Sequence, residues 1–274
     1  MTAHRVDSYD TVFLIGSGVN TNPWVPVVSA LQEFAPYLGS TCGEHANFWL
    51  ALHVFTLRVA GFHRRSRNAS HASAAHMITL KKTDRLVRET IAAKLRRATE
   101  RGDFFGVRPE FARVLEHPRW RNFTFLTTNW DRNVEEQLGF DVTHLHGDVS
   151  DSNCLYLPTE TSHEPYRSSG LNKRMRLSAG TAWRRIRGAK QVCIYGLSLS
   201  PLDAELAITL GMGLEPRPGP PITVYVYNLR GPSLDEAVWR VRAATHPLAK
   251  VDIRPMPLDA GSDPPVPKGW DLRG

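Results

Sequence analysis

Asn129, Asp131 and His146 bring an amide, a carboxylate and an imidazole into one short stretch of the sequence. Where three such groups converge, a binding site would be expected. They fall within Asn122 to Asp148, which reads N-F-T-F-L-T-T-N-W-D-R-N-V-E-E-Q-L-G-F-D-V-T-H-L-H-G-D. Phe123, Phe125 and Thr127 alternate with Thr124 and Leu126 and predict an interior strand that stops at Thr128-Asn129-Trp130-Asp131. A helical turn from Arg132 to Leu138 closes at Gly139, and Val142 to Leu145 reads as a second strand ending in His146-Gly147-Asp148. Both polar clusters stand at carboxyl ends of strands, where an open α/β sheet forms its ligand crevice.

The same residues have plainer uses. Asn129 suits the N-cap of the following helix and Asp131 its first turn. His144 and His146, two apart, can also join Asp148 or Cys154 in a metal site, although nothing else completes a tetrahedral set.

The elements that must position these groups follow from apolar runs and breakers. Thr11 to Ile15 is a continuous apolar run of parallel-strand type, opening into Gly16-Ser17-Gly18-Val19-Asn20 and a helix from Trp24 to Phe34. Glycines at 16 and 18 let the backbone approach a ligand, and the helix N-terminus offers N–H groups to a pyrophosphate. The third glycine of the full dinucleotide fingerprint is missing. From residue 40 to 121 the composition shifts to helix formers, with apolar stripes at Phe48, Leu52, Phe55 and Val59 and at Val87, Ile91 and Leu95. This predicts a helical insertion, in which Thr83 caps a helix running to Gly102 and Pro109 begins a short one that ends before Pro118. Residues 149–181, broken by Pro158, Pro165 and Gly170, read as an irregular loop or lid.

Lys190 to Tyr195 is the next strand, ending in Gly196-Leu197-Ser198, and Ser200-Pro201 starts a helix with Asp203 in its first turn. Ile222 to Tyr227 is a fifth strand with Asn228 at its end. Ser233 with Glu236 forms a capping box for a helix through Ala244, and Val251 to Ile253 is an edge strand before an irregular tail after Pro255. The pattern specifies an α/β fold. It is a Rossmann-like doubly wound parallel sheet of about six strands, a single domain over 1–274 with a helical insertion at 40–121.

With 42% hydrophobic residues the chain can fill a core, which excludes disorder over most of its length. A formal net charge of +7 favours anionic ligands. Lys81, Lys82, Arg85, Arg88, Lys94, Arg96, Arg97 and Arg101 read as a solvated helix face rather than a nucleic-acid or partner surface, because no aromatics are interleaved with them. Cys42, Cys154 and Cys193 give neither a disulfide framework nor a zinc pair, and the histidines at 45, 53, 63, 71 and 76 lack zinc spacing. A reducing cytoplasm is the expected setting and no metal is expected. The most apolar stretch, Ala46 to Phe62, is short for a membrane span and carries His53 and Arg58, so no membrane association is expected. The N-terminus has no signal-peptide pattern.

Gly16-Ser17-Gly18, Thr128-Asn129-Trp130-Asp131, His146-Gly147, Gly196-Leu197-Ser198 and Asn228, in this order and at strand ends, resemble the sirtuin-like NAD-binding family. Closest in appearance is the bacterial branch of sirtuin-like NAD hydrolases of anti-phage defence, where the asparagine motif often reads T-T-N-x-D and zinc cysteines are absent. The resemblance implies NAD as substrate, with Asn129 and His146 catalytic. Gly16, Ser17 and Gly18 would hold the pyrophosphate, and Gly196, Ser198 and Asn228 would meet phosphate and the adenosine ribose. Asp131 would face the nicotinamide carboxamide, with Asn20 in place of a family serine. The products would be nicotinamide and ADP-ribose, made by a regulated NAD-depleting effector that acts as a homo-oligomer or with an activating partner protein.

This chain departs from the wider family in two places. The four-cysteine zinc ribbon of the protein deacylases is absent, and Asn20-Thr21-Asn22-Pro23-Trp24 replaces the proline-aspartate-phenylalanine-arginine run of the first loop. A non-catalytic sensor of NAD or ADP-ribose, and an ADP-ribosyltransferase or deacylase, are the competing readings.

Overall fold

Short runs of apolar and β-branched residues, each ended by glycine or a polar group, become six strands in the computed structural model, which describes residues 11–38, 43–65, 71–102, 105–115, 123–139 and 141–259. Cys42, Pro118, Asn122, the first ten residues and the tail after Asp259 lie outside the described residues. The strands are β1 (Thr11–Ile15), β2 (Phe123–Thr127), β3 (Val142–His144), β4 (Gln191–Tyr195), β5 (Ile222–Leu229) and β6 (Val251–Leu258). All neighbours are parallel, in the order β3-β2-β1-β4-β5-β6.

Alternation along the strands sends side chains to two covered faces. Val12, Leu14, Val192, Ile194, Val224 and Val226 pack on one face against α6 (Ser169–Gly188), α7 (Ala204–Gly213) and α8 (Pro232–Ala244). Phe13, Ile15, Phe125, Tyr195 and Tyr227 pack on the other, with Phe111 of α4 (Pro109–Leu115) and Val134 of α5 (Asn133–Leu138). The sheet is doubly wound, as the alternation of strands and helices predicts.

Between β1 and β2 stand α1 (Val25–Leu31), α2 (Gly43–Arg65) and α3 (His71–Arg101), followed by α4. Leu31, Leu50, Val54, Val87, Ile91 and Leu95 give the first three helices a core of their own, which also takes in Leu155 and Leu157. The inward face of α2 is Leu50, Val54 and Leu57, all fully buried, whereas Phe48, Leu52, Phe55 and Val59 point to solvent. The apolar stripe evident in the sequence is therefore the outer one, because α2 is apolar on two sides.

Other expectations are corrected by tertiary context. Helix α3 runs unbroken through Thr83, whose hydroxyl bonds back to the Thr79 carbonyl at 3.2 Å instead of capping. Residues 169–188 are a helix, not part of a loop; Ser168 caps it by accepting from the Leu171 N–H. The N-cap of α8 is Gly231, at φ +103°, with no side-chain cap, so the Ser233–Glu236 box does not form. Strand β6 extends through Pro255 and Pro257 to Leu258. An edge strand tolerates this, since a missing N–H on the outer side costs no ladder bond. No helix among the described residues is long and apolar enough to cross a membrane.

Candidate functional site

From β1 the chain moves outward to β2 and β3, then returns to lay β4 on the other side of β1. The connections leaving β1 and β4 diverge, and a crevice opens at the carboxyl ends of these strands. It is lined by Ser17, Asn129, Asp131, His146, Gly196, Ser198 and Asp203, with Trp24, Trp130, Tyr156 and Leu157 as apolar walls. The crevice has a cavity volume of about 150 Å³.

Its floor is a crossing of two glycine turns. Gly18 donates its N–H to the Gly196 carbonyl at 2.9 Å, and a Cβ at position 18 would lie 2.7 Å from Gly196 Cα. Gly16 donates to the Tyr195 carbonyl at 2.9 Å. Both N–H groups are thus engaged by β4 and its turn, and the glycines serve the close approach of the two loops. The first turn continues as a single 3-10 turn, Ser17–Val19, and α1 begins only at Val25, so no helix N-terminus directly follows the glycines. Ser17 and Ser198 remain as polar groups facing the crevice, and Arg240 fixes the second loop by donating to the Ser198 carbonyl at 2.8 Å.

Asn129 follows β2 with its backbone fixed on both sides. Its N–H donates to the Thr127 hydroxyl at 3.0 Å, and its carbonyl lies 2.8 Å from His144 Nδ1. The side chain is buried, at 7% exposure, and neither Oδ1 nor Nδ2 has a hydrogen-bond partner. A buried amide left without partners costs about 1–3 kcal/mol, so its retention at a crevice wall calls for a ligand. Asn129 does not cap α5. His144 Nε2 meets Glu135 Oε1 at 2.6 Å, so both ring nitrogens face acceptors. Burial would push this imidazole down, but the Glu135 carboxylate and the Asn129 carbonyl outweigh it and raise its pKa above the usual value. His144 thus clamps the Asn129 backbone to α5.

Asp131 accepts from the Asn133 N–H at 3.1 Å and from Asn20 Nδ2 at 2.8 Å. Asn20 in turn accepts from Asn133 Nδ2 at 3.3 Å. Burial raises the Asp131 carboxyl above its ordinary range against the pull of these donors. Asn20, itself fully buried, braces Asp131 rather than lining the crevice.

His146, two residues beyond β3, lines the same crevice, its ring stacked on Tyr156 at 4.7 Å and 11°. Nε2 lies 3.4 Å from Asp203 Oδ1. Burial raises the Asp203 carboxyl, against the pull of His146. A carboxylate at Nε2 favours the tautomer with the proton there, leaving Nδ1 as the lone-pair nitrogen. The turn that delivers His146 depends on Gly147, at φ +70°, where a Cβ would sit 2.0 Å from the Cys154 carbonyl oxygen.

The wall carrying Tyr156, Leu157 and Pro158 hangs from a buried charge cluster. Glu160 accepts from Arg88 Nη2 at 2.7 Å, from the Leu157 N–H at 2.5 Å, from the Tyr166 hydroxyl and from Arg167. Burial opposes its ionisation, yet the two guanidiniums hold the Glu160 carboxyl below its usual range. Arg58 of α2 ties the same segment by bonding Glu164 and the Thr159 carbonyl.

Ser17, Asn129, Asp131, His146, Gly196 and Ser198 are thus brought to one crevice, with Gly16, Gly18 and Asn20 directly behind it. Asn228 is not among the lining residues; its amide donates to the Ser233 carbonyl and accepts from the Leu229 N–H, closing the turn after β5. The sequence presents Asp203 only as a first-turn helix residue, and its pairing with His146 spans too much sequence for any local signal. His144 and His146 have separate partners, and no group of three His, Cys, Asp or Glu side chains among the described residues is placed to hold a metal ion. No protein-family model, curated protein or solved structure matches the chain.

Proposed function

We propose that the chain is an NAD hydrolase: NAD and water give nicotinamide, ADP-ribose and a proton. The observation that carries the reading is the Asn129 amide, buried and unpartnered on the same crevice as the His146–Asp203 pair. Breaking the N-glycosidic bond builds oxocarbenium-like charge on the ribose while neutral nicotinamide leaves with the bonding pair. Asn129 orients water, or a ribose hydroxyl, towards that carbon, and His146 takes the released proton. Asp203 holds the imidazole in place, and the buried Asp131 carboxyl, on the same crevice, would recognise the nicotinamide carboxamide. Ser17 and Ser198 are polar groups that could meet the phosphates, and a motif order that resembles that of sirtuin-like NAD-binding proteins supports this assignment.

The setting we infer is cytoplasmic, in keeping with the buried free thiols of Cys154 and Cys193. An NAD-depleting enzyme must be held in check, so we infer control by self-association or a partner protein, as in an anti-phage effector. The test is turnover beside binding. Asn129→Ala and His146→Ala should each lower nicotinamide release at least about a hundredfold while calorimetry still detects NAD. Undiminished turnover in both variants would remove the assignment.

A further inference from the structure

Helix α2 is apolar on two opposite sides, and among the described residues only one of them is buried. Leu50, Val54 and Leu57 are fully buried against α1 and α3. On the outer side Phe48 (64% exposed), Leu52 (50%), Phe55 (61%), Val59 (39%) and Phe62 (64%) stand in a row. They are separated alternately by four and three residues, the 3.5-residue period of a coiled-coil seam rather than the 3.6 of a face curved onto a globular core. A helix apolar all round is ordinarily buried all round.

We infer that a second copy of this chain covers the seam, α2 against α2 about a twofold axis. Three arguments select that occupant. The seam is self-complementary in kind, since knobs at this spacing fit the holes of an identical helix. None of the five residues is charged, and the Arg58 guanidinium of α2 bonds Glu164 of its own chain, so the five seam residues themselves bring no like charges together. The area also suffices. With an aromatic side chain contributing ~150–250 Å², the five residues expose roughly 400–600 Å² per copy, and a pair buries about the ~1,000 Å² that a specific interface needs. A groove beside the seam, between Val59 and His63 of α2 and His76 of α3, gives the edge of the contact room for side chains of the opposite copy.

The inference is independent of the chemistry in the crevice, but the two are physically connected. Asn47, one residue before Phe48, lines the crevice, and Arg58 grips the segment that carries Pro158.

Sedimentation of the full chain across micromolar concentrations tests the inference. Wild type should be a reversible dimer. Phe55→Ala should weaken dimerisation on the order of a hundredfold, the loss being counted once in each copy, and Phe55→Glu should give a monomer with an unchanged far-ultraviolet circular dichroism spectrum. Trp239→Glu, the same change at an exposed aromatic on α8, should remain dimeric. Phe55→Ala adds no charge and so keeps the test decisive if Phe55→Glu misfolds. A wild type that stays monomeric, or a dimer indifferent to Phe55, would overturn the inference, including the case in which a different protein covers the seam.

Discussion

Replacing Glu160 by Gln probes how the crevice wall is held. The substitution keeps shape and leaves no cavity, but it removes the one full negative charge that Arg88 and Arg167 share beneath Leu157. Arg88 and Arg167 are both nearly buried, so neither can replace Glu160 with water; Arg88 keeps the Asp84 carboxylate at 3.0 Å, and Arg167 is left without its carboxylate. Breaking a buried pair in this way costs about 3–5 kcal/mol, a large part of the ~5–15 kcal/mol that holds a domain folded. At about 2–4 °C per kcal/mol, the melting temperature should fall by roughly 10 °C in calorimetry or thermal circular dichroism. Combined with Arg88→Met, the loss should be smaller than the sum by on the order of 1–3 kcal/mol, because the two residues share one network. The pH sign is also fixed. The Glu160 carboxyl is held below its ordinary range, so its contribution is full above about pH 4.3 and is lost as pH falls through the folded-state value. Glu160→Gln should therefore flatten the acid limb of stability. A variant melting within about 2 °C of wild type would refute the claim that this cluster suspends the wall.

Other perturbations probe the site itself. Asn129→Ala should leave stability unchanged or raise it by up to about 1 kcal/mol, since the amide has no partner to lose; a clear drop in melting temperature would mean the amide is structurally satisfied. His144→Gln should cost about 1–2 kcal/mol at pH 6 and progressively less at higher pH. The sign follows from a raised folded-state pKa: His144's contribution is full below about pH 6.5 and disappears as pH rises through the folded value. Melting curves from pH 6 to 9 that stay parallel would contradict the imidazolium clamp. Gly147→Ala combines a left-handed backbone cost of about 1–2 kcal/mol with overlap on the Cys154 carbonyl, and should displace His146 enough to abolish turnover.

The sheet was legible because parallel strands buried on both faces leave continuous apolar runs, as in Val12 to Ile15 and Val192 to Tyr195. The crevice followed from strand ends alone, which is why Asn129 and His146 could be named before any geometry. Helix α6 was missed because its buried positions, Asn172, Met175, Ala182 and Ile186, form a thin and partly polar stripe interrupted by Gly170 and Gly180. On α2 the strongest stripe pointed outward: periodicity registers an apolar face without saying what covers it. Asp203 and Glu160 were invisible for another reason. Each acts through groups distant in sequence that only the fold brings within reach.

The most direct test of the central claim is nicotinamide and ADP-ribose formation from NAD by the purified chain, followed over a wide range of protein concentration. The account predicts equimolar products whose release requires Asn129, His146 and Asp203. NAD that binds in the crevice and is returned intact at every concentration, with the chain assembled, would contradict it and leave a binding module.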